Sequence, residues 1–554
     1  LATVRQTTLS VPLDVKPESC ARLCSLIEEA KKREDTGAGG YPENFARVAS
    51  SIPVLHFMSM SVFAAADYDP IFIIEANFDG APGPFWAQME LVFGDCFRAM
   101  LRCCKKPLDH DAPLFAAVTD PASQEPVMPY LEARTQHPSV FHHGNRGLSR
   151  DRILHEQALF IALRTELDGP TPTGEAPYHA LPGAELHQKL RAAMLPTYAW
   201  LNQTPPPRIT PLERGADILR LTLFVVLLLM ALTAPALILA ALMPVRSYLL
   251  LVGLGFVLML LLIFANRRGR PGTEIATTFR LAPVILKYAV PIALLVAAYV
   301  AAATLVLMPT VAICGFILHH LGAGVELTTL QAFKPVARIV LLGLAGLLIN
   351  VPLIILWLRH DEMRQSSQDK PAPTERMYRE MIRREDWVAQ NHMGSVVLIR
   401  PGILRSIVIR AGHLGLGLVL RVVATDGYLG SMRTVHFAHW AFLNNGSRLL
   451  FFSNFDHSWG SYLDDFIEKA HVGLTLAWGC GTGFPPTRFL IYDGASHGEQ
   501  FKAWALQSRA VSRFWYSAYR NLTVDQIERN NRIADGLRRP SMTDQEALAW
   551  AQDL

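Results

Sequence analysis

Charge is scarce in this chain. Asp, Glu, Lys and Arg make up 18% of its 554 residues, against about a quarter in an ordinary soluble protein. The shortage is local and comes from Leu221–Leu358. A run of Lys and Arg with interleaved aromatics is missing, and the net charge is only +4, so nothing points to nucleic acid as a partner. The 7 cysteines form no CxxC and no paired Cys/His spacing, which leaves a zinc site or a disulfide framework without support. Scattered thiols fit a reducing compartment. The first residues, LATVRQTTLS, lack the charged start and apolar core of a signal peptide. HExxH and GxGxxG are absent, and "GCGTGFPP" (Gly479–Pro486) lacks the Lys-Ser/Thr ending of a phosphate loop.

What is present begins with four long apolar stretches, about 221–243, 248–265, 290–318 and 339–358, none containing Asp, Glu, Lys or Arg. A bilayer crossing takes about 20 such residues, and in hydrocarbon the backbone must satisfy its own hydrogen bonds, so each is expected to be a transmembrane helix. Basic residues crowd three flanks: Arg208, Arg214 and Arg220; Arg267 to Lys287; Arg359 to Arg384. The other two loops are poorer. The positive-inside rule therefore predicts an integral protein of the inner or plasma membrane with both termini cytoplasmic. Asn350 is the clearest polar residue of the fourth span and is expected to hydrogen-bond another helix. The block looks like an anchor more than a conduit, since the spans carry no charged company for their prolines.

The sequence on either side of this block repeats itself. "HFMSMSVFAAADYDPIFIIEANFD" (His56–Asp79) returns as "HFAHWAFLNNGSRLLFFSNFD" (His436–Asp456). Lys16-Pro17 matches Arg400-Pro401, and Leu148, Asp151 and Ile153 match Leu522, Asp525 and Ile527. Matches in the same order, at an offset drifting slowly around ~380 residues, indicate a duplication. The predicted domains are thus a first repeat over 1–205, a membrane block over 206–365, a linker over 366–392 and a second repeat over 393–554.

Each copy reads as strand, helix, hairpin, helix, strand. The first strands are Thr8–Val15, which alternates apolar and polar, and Gly394–Ile399, which fits the same place in the second copy. A proline then opens a helix, Pro17 to about Arg33 and Pro401 to about Val423. Hairpins follow at Val54–Phe63 with Ile71–Asn77, and at Thr434–Leu443 with Arg448–Asn454, the second turning on Asn444-Asn445-Gly446. The next helices are Pro84–Leu101 and Ser458 to about Leu474, for which Asp456 and Ser458 are good cap types. The fourth strands are placed at Leu114–Thr119 and Arg488–Tyr492. A further helix, a short aromatic piece ("FHHG", "FWYSAY") and a closing helix complete each copy, the closing helix of the second being capped by Thr523. The expected fold is α+β: two ferredoxin-like βαββαβ repeats packed sheet to sheet, plus about four inserted transmembrane helices.

In element order and duplication the chain resembles the dimeric α/β-barrel superfamily. That resemblance covers about residues 8–166 and 393–537. It implies kinship with dye-decolourising peroxidases and chlorite dismutases, with cofactor-free monooxygenases and with non-enzymatic sensors. The GxxDG signature of the dye-decolourising peroxidases is missing from this chain.

His56 and His436 open the second strand of each copy and are candidate acid–base groups or haem ligands. The competing reading is a buried structural histidine. Asn77, Asp79, Asn454 and Asp456, at the strand-to-helix corners, are candidates for a polar catalytic cluster or for turns and caps. His439 and His497 are candidate cofactor ligands, haem being the cofactor implied by the resemblance. His439 stands three residues after His436, so in a regular strand the two face opposite ways. "GASHG" (Gly494–Gly498) matches the GxSxG pattern, but no His follows it in the chain, and a turn is the simpler reading. The expected function is a membrane-anchored, cytoplasm-facing oxidoreductase acting on a hydrophobic or lipid-derived small molecule. The alternative is a non-enzymatic scaffold or ligand-sensing barrel. Partners expected are the bilayer, a hydrophobic small molecule and a second copy of the chain.

Overall fold

The computed structural model describes residues 4–34, 45–65, 68–169, 181–267, 289–322, 333–364, 389–425, 432–489 and 492–554, with Tyr178, Glu375, Arg379, Tyr428 and Leu429. Most of the predicted 366–392 linker and all of the basic loop 268–288 lie outside the described residues. Two compact units are found: Leu1–Arg214 with Ser367–Pro486 and Ile491–Leu554, and Gly215–Ser366 with Thr487–Leu490.

The first unit is α+β. It opens with β1 (Gln6–Asp14), α1 (Cys20–Glu34), α2 (Ala46–Ser51), β2 (Leu55–Ala65), β3 (Tyr68–Asp79) and α3 (Pro82–Leu101). Next come α4 (Ala112–Thr119), α5 (Met128–Ala133), β4 (Val140–His143), α6 (Arg150–Asp168) and α7 (Gly183–Met194). Two apolar helices of the second unit follow, α8 (Pro211–Leu242, which starts in the first unit) and α9 (Val245–Arg267). The others are α10 (Ala289–His320), α11 (Phe333–Ala345) and α12 (Leu347–Met363). The chain then returns to the first unit with β5 (Gln390–Leu398), α13 (Ile403–Val423), β6 (Val435–Leu443), β7 (Arg448–Asp456) and α14 (Trp459–Trp478). Two short strands, β8 (Thr487–Arg488) and β9 (Tyr492–Asp493), precede α15 (Gly498–Ser508), β10 (Arg509–Ala510), β11 (Ser512–Ser517), α16 (Val524–Arg538) and α17 (Asp544–Ala551).

One sheet has the order β1-β3-β2-β11 and the other β10-β5-β7-β6-β4. The first three strands of each copy therefore form as expected, but the fourth strands do not. Leu114–Thr119 is helical, inside α4, whose Pro113 sits where a first helical turn tolerates proline. Of the other, Arg488 ends β8 and Tyr492 opens β9, outside both large sheets, and residues 490 and 491 lie outside the described residues. The closing strands are instead the short aromatic pieces, and they are exchanged. β4 of the first copy pairs with β6 of the second, His143 opposite Phe437. β11 of the second copy pairs with β2 of the first, Ser517 opposite Phe57.

Period-two alternation sorts each sheet into two faces. Leu9, Val11, Met58, Met60, Phe72, Ile74 and Phe78 pack on α1 and α3 with Phe85, Trp86 and Phe93. In the second sheet Val397, Trp440, Leu449, Phe451 and Phe455 do the same against Tyr462, Leu474 and Trp478. The opposite faces meet each other. Phe63, Ile71 and Ile73 share a buried cluster with Val396, Ala441, Leu443, Leu450 and Phe452. Gly394 permits this approach: a Cβ there would collide with the Phe452 ring and stand 2.9 Å from Cζ of Phe63. In the second hairpin Asn444, Asn445 and Gly446 all take positive φ, the conformation expected of that turn.

In the second unit five chain-wide candidates for crossing a membrane reduce to four: Pro211–Leu242, Val245–Leu262, Ala289–Ile313 and Phe333–Met363. Asn350 Nδ2 donates to the carbonyl of Leu232 at 2.7 Å, the interhelical bond expected of it. Tyr299 and Thr233 share a hydroxyl bond of 2.8 Å, and Tyr248 donates to Leu342 O at 2.9 Å. At the end of α12, Glu362 accepts from the Thr487 hydroxyl and the Phe489 amide, both at 2.9 Å.

Candidate functional site

The register of β2 on β3 slips between Leu55 and Phe57, and that of β6 on β7 between Val435 and Phe437. His56 and His436 are thus the bulged residues of their strands. A bulge re-aims a side chain. His436 therefore escapes the simple alternation that would set it opposite His439, and its ring lies 5.5 Å from that of Phe57 between the sheets.

Both bulged histidines are fully buried beside an aspartate. His56 Nε2 stands 3.0 Å from Asp79 Oδ1, and its Nδ1 shares a 2.8 Å hydrogen bond with Tyr519 Oη. His436 Nε2 donates to Asp456 Oδ1 at 2.8 Å. The second oxygen of each aspartate accepts a helix-opening amide: Arg150 N to Asp79 Oδ2 and Val524 N to Asp456 Oδ2, both 2.8 Å. Asp456 thus caps α16, whereas Ser458 alone caps α14. A carboxylate at these unpaired N–H groups is also favoured by the helix dipole. Thr523 completes a capping box with Gln526 at the same end of α16.

Gln6 and Gln390, opposite Asp79 and Asp456 in their sheets, repeat the symmetry. Gln6 Nε2 donates to Leu148 O at 3.0 Å, and Gln390 Nε2 to Leu522 O at 2.5 Å. Sequence reasoning passed over this pair, although the drifting offset of the repeat relates them.

Between the sheets lies a second cluster, and it is asymmetric. Glu75 on β3 is fully buried. Its Oε2 accepts from Ser59 Oγ at 3.0 Å and from His392 Nε2 at 2.9 Å. Its Oε1 accepts from Asn77 Nδ2 at 2.9 Å and Asn454 Nδ2 at 3.3 Å, with His439 Nδ1 3.8 Å away. Burial pushes the Glu75 carboxyl up, but the hydrogen bond and charge of His392, then His439 and Asn77, outweigh it and hold the group down at about 2. Burial likewise lowers His439 to about 4, against the pull of Glu75.

Further contacts close the network. His439 Nε2 bonds Ser10 Oγ at 2.8 Å, and His392 Nδ1 bonds Ser512 Oγ at 2.6 Å. Thr8 donates to Asn77 Oδ1 at 2.8 Å and meets His143 Nε2 at 3.0 Å. Trp515 Nε1 donates to Asn454 Oδ1 at 2.9 Å. The two asparagines thus serve Glu75 rather than the corner turns. In the internal repeat Glu75 corresponds to Phe452, His392 to Thr8, His439 to Ser59 and Ser10 to Gly394. The capping His, Asp and Gln positions match between copies, as do Asn77 and Asn454, whereas Glu75, His392, His439 and Ser10 have unlike counterparts.

Of the eight candidate residues, seven converge on the space between the sheets. His497 does not: it is exposed at the start of α15, beside the exposed Ser496 of the GASHG turn. Among the described residues, no group of three His, Cys, Asp or Glu side chains is placed to hold a metal. The donor set does not fit a haem either. Aromatic rings stand against each central imidazole: Phe437 and Tyr519 at 5.4 and 5.7 Å from His56, Phe452 at 5.8 Å from His439 and 5.3 Å from His392. Near His436, whose Nδ1 is buried without a hydrogen-bond partner, stand Phe57 and, at 6.0 Å, Tyr519. The residues missed by sequence reasoning are Glu75, His392, Ser10, Trp515 and Tyr519. A lone acid inside the apolar run "IFIIEANF" was the available signal for the first.

Comparison with family profiles, with curated proteins and with solved structures finds no match to this chain.

Proposed function

We propose that the protein is a membrane-anchored, non-enzymatic module whose duplicated domain clasps the two flanks of its membrane block. One observation carries this reading. The central carboxylate is turned inward on its neighbours: Glu75 has four hydrogen-bond donors from both halves, and the aspartate of each His–Asp pair caps a helix. Such a network ties the correct halves together, since a buried carboxylate left without its donors is strongly penalised. The kinship proposed is with the dimeric α/β barrels, by duplication of a ferredoxin-like ancestor whose closing strands have been exchanged. Both flanks of the block run into the same folded unit, which calls for an even number of crossings. The basic flanks argue for that unit lying in the cytoplasm.

A second reading is favoured by the asymmetry of the centre. Matching positions that keep caps but diverge around Glu75, His392 and His439 are what specialisation of one acid–base site would leave. In that reading the protein is a membrane-anchored oxidoreductase, of the cofactor-free kind, acting on a hydrophobic or lipid-derived substrate. The purified full chain distinguishes the two. The clasp predicts no Soret band after haem titration, no turnover of a lipid substrate panel, and a lowered melting temperature for Glu75→Gln. Turnover that His436→Ala or Glu75→Gln abolishes at unchanged melting temperature would establish the enzyme and overturn the clasp.

A further inference from the structure

The helix α13, Ile403–Val423, is apolar enough over Arg405–Val423 to be a fifth membrane crossing. Its packing argues otherwise. One side is held by the second sheet's layer: Ile409 and His413 are buried, and Leu416 and Leu420 pack on the aromatic core of that half. His413 Nε2 meets Ala477 O at 2.9 Å and its Nδ1 meets Ser139 Oγ at 3.0 Å. A helix so embedded is not surrounded by lipid.

The opposite side is bare and greasy. Ile403, Ile407, Ala411, Leu414 and Leu418 follow one another at spacings of four and three, a single stripe. Ile403 is 85% exposed, Ile407 59% and Leu414 53%, and Ala411 and Leu418 are half-buried. The fold does not demand this. In the first copy the same place is taken by α1, whose exposed residues are Ala21, Arg22, Ser25, Glu29, Lys32 and Arg33. Within Ile403–Val423 stand Arg405, Arg410 and Arg421 and no acidic residue. An apolar stripe on a purely cationic helix is complementary to an anionic bilayer surface. Its own membrane block supplies a bilayer to every copy of the chain.

We infer that α13 lies in the plane of the membrane, its Ile403–Leu418 stripe seated among anionic lipids, as a second, non-spanning contact of the folded unit with the bilayer. The test uses the full chain in vesicles of phosphatidylcholine and phosphatidylglycerol, with the photo-crosslinking residue p-benzoylphenylalanine placed singly at Ile407, Leu414, Leu420 or Ser25. Lipid adducts are expected at Ile407 and Leu414, protein adducts at Leu420 and no lipid adduct at Ser25. Lowering the phosphatidylglycerol fraction to nil is expected to reduce the adducts at Leu414 several-fold. Protein adducts at Ile407 and Leu414 would mean that a second copy or the chain's own spans cover the stripe, and would overturn the inference. So would lipid adducts at Leu420, the mark of a spanning helix, or an absence of any adduct at Leu414, the mark of a water-facing one.

Discussion

At the scale of the residue, Glu75 dominates. An ionised carboxylate in a protein interior costs several kcal/mol unless donors replace its water. Here Ser59, Asn77, Asn454 and His392 do so. Glu75→Gln keeps the size but forfeits the charge-assisted bonds, and the expected loss is roughly 1–3 kcal/mol in a denaturant titration of the full chain in detergent. An unchanged midpoint would show that the centre contributes nothing to holding the halves. Acid should act on His439 of the same cluster and on two buried histidines outside it. Burial holds His439, His142 and His413 at about 4, below the ordinary 6.5. The unfolded chain therefore binds more protons than the folded one between those values, and stability falls as pH drops from about 6.5 to about 4. Glu75, held at about 2 against an ordinary 4.5, adds a further loss between those two values. Melting temperatures measured from pH 7.5 downward, a span chosen to bracket ~6.5, should decline first in the histidine window. A flat profile there would sink the assignment. His439 was legible as a singular residue of the second copy. His392, the other histidine at Glu75, was not, because the strand begins at Gln390, inside what reads as linker.

At the scale of the element, hairpins, caps and turns were legible because they rest on local chemistry. Thr523, Ser458 and the Asn444-Asn445-Gly446 turn behave as their residue types dictate. The closing strands were not legible. "LFAAVT" is a short apolar run whose period cannot separate strand from helix, and Pro113 decides for the helix. "FHHG" and "FWYSAY" are strands only because a partner edge from the other copy awaits them. The bulges at His56 and His436 were equally hidden, since register is a property of two strands and not of one. Each bulge delivers a histidine to an aspartate that caps a distant helix. Removing that aspartate should cost a cap, about 1 kcal/mol, and at the second site it also leaves the buried His436 Nε2 without its acceptor. The Asp79 side chain is 12% exposed and that of Asp456 1%. Water can therefore replace the carboxylate better at the first site. Asp79→Ala is expected to lose about 1–2 kcal/mol and Asp456→Ala about 2–3 kcal/mol. Chemical denaturation of both variants checks the order, and equal losses would show that burial does not set the difference.

At the scale of the whole molecule, the exchanged strands make the two halves inseparable. Phe514, from the second copy, is buried in the first copy's core, its ring 5.3 Å from that of Phe45 and 5.7 Å from that of Phe93. Val140, from the first copy, is buried in the core of the second. Neither sheet is complete without the other half, so the duplicated domain cannot be two beads on a string. A chain broken between Arg270 and Pro271 tests this directly. Co-expressed as two polypeptides, the halves should copurify in detergent, because strand pairing and sheet packing join them without the peptide link. The membrane helices could hold the halves together by themselves, and Phe514→Ala separates the two causes. Truncating a buried Phe costs about 3–5 kcal/mol, and here the loss falls on the exchanged strand alone. Copurification should then drop sharply, while expression of the unbroken variant is reduced less, since its halves remain covalently close and pay less entropy to meet. If the broken Phe514→Ala chain copurifies as well as the broken parent, the helices and not the clasp hold the molecule together.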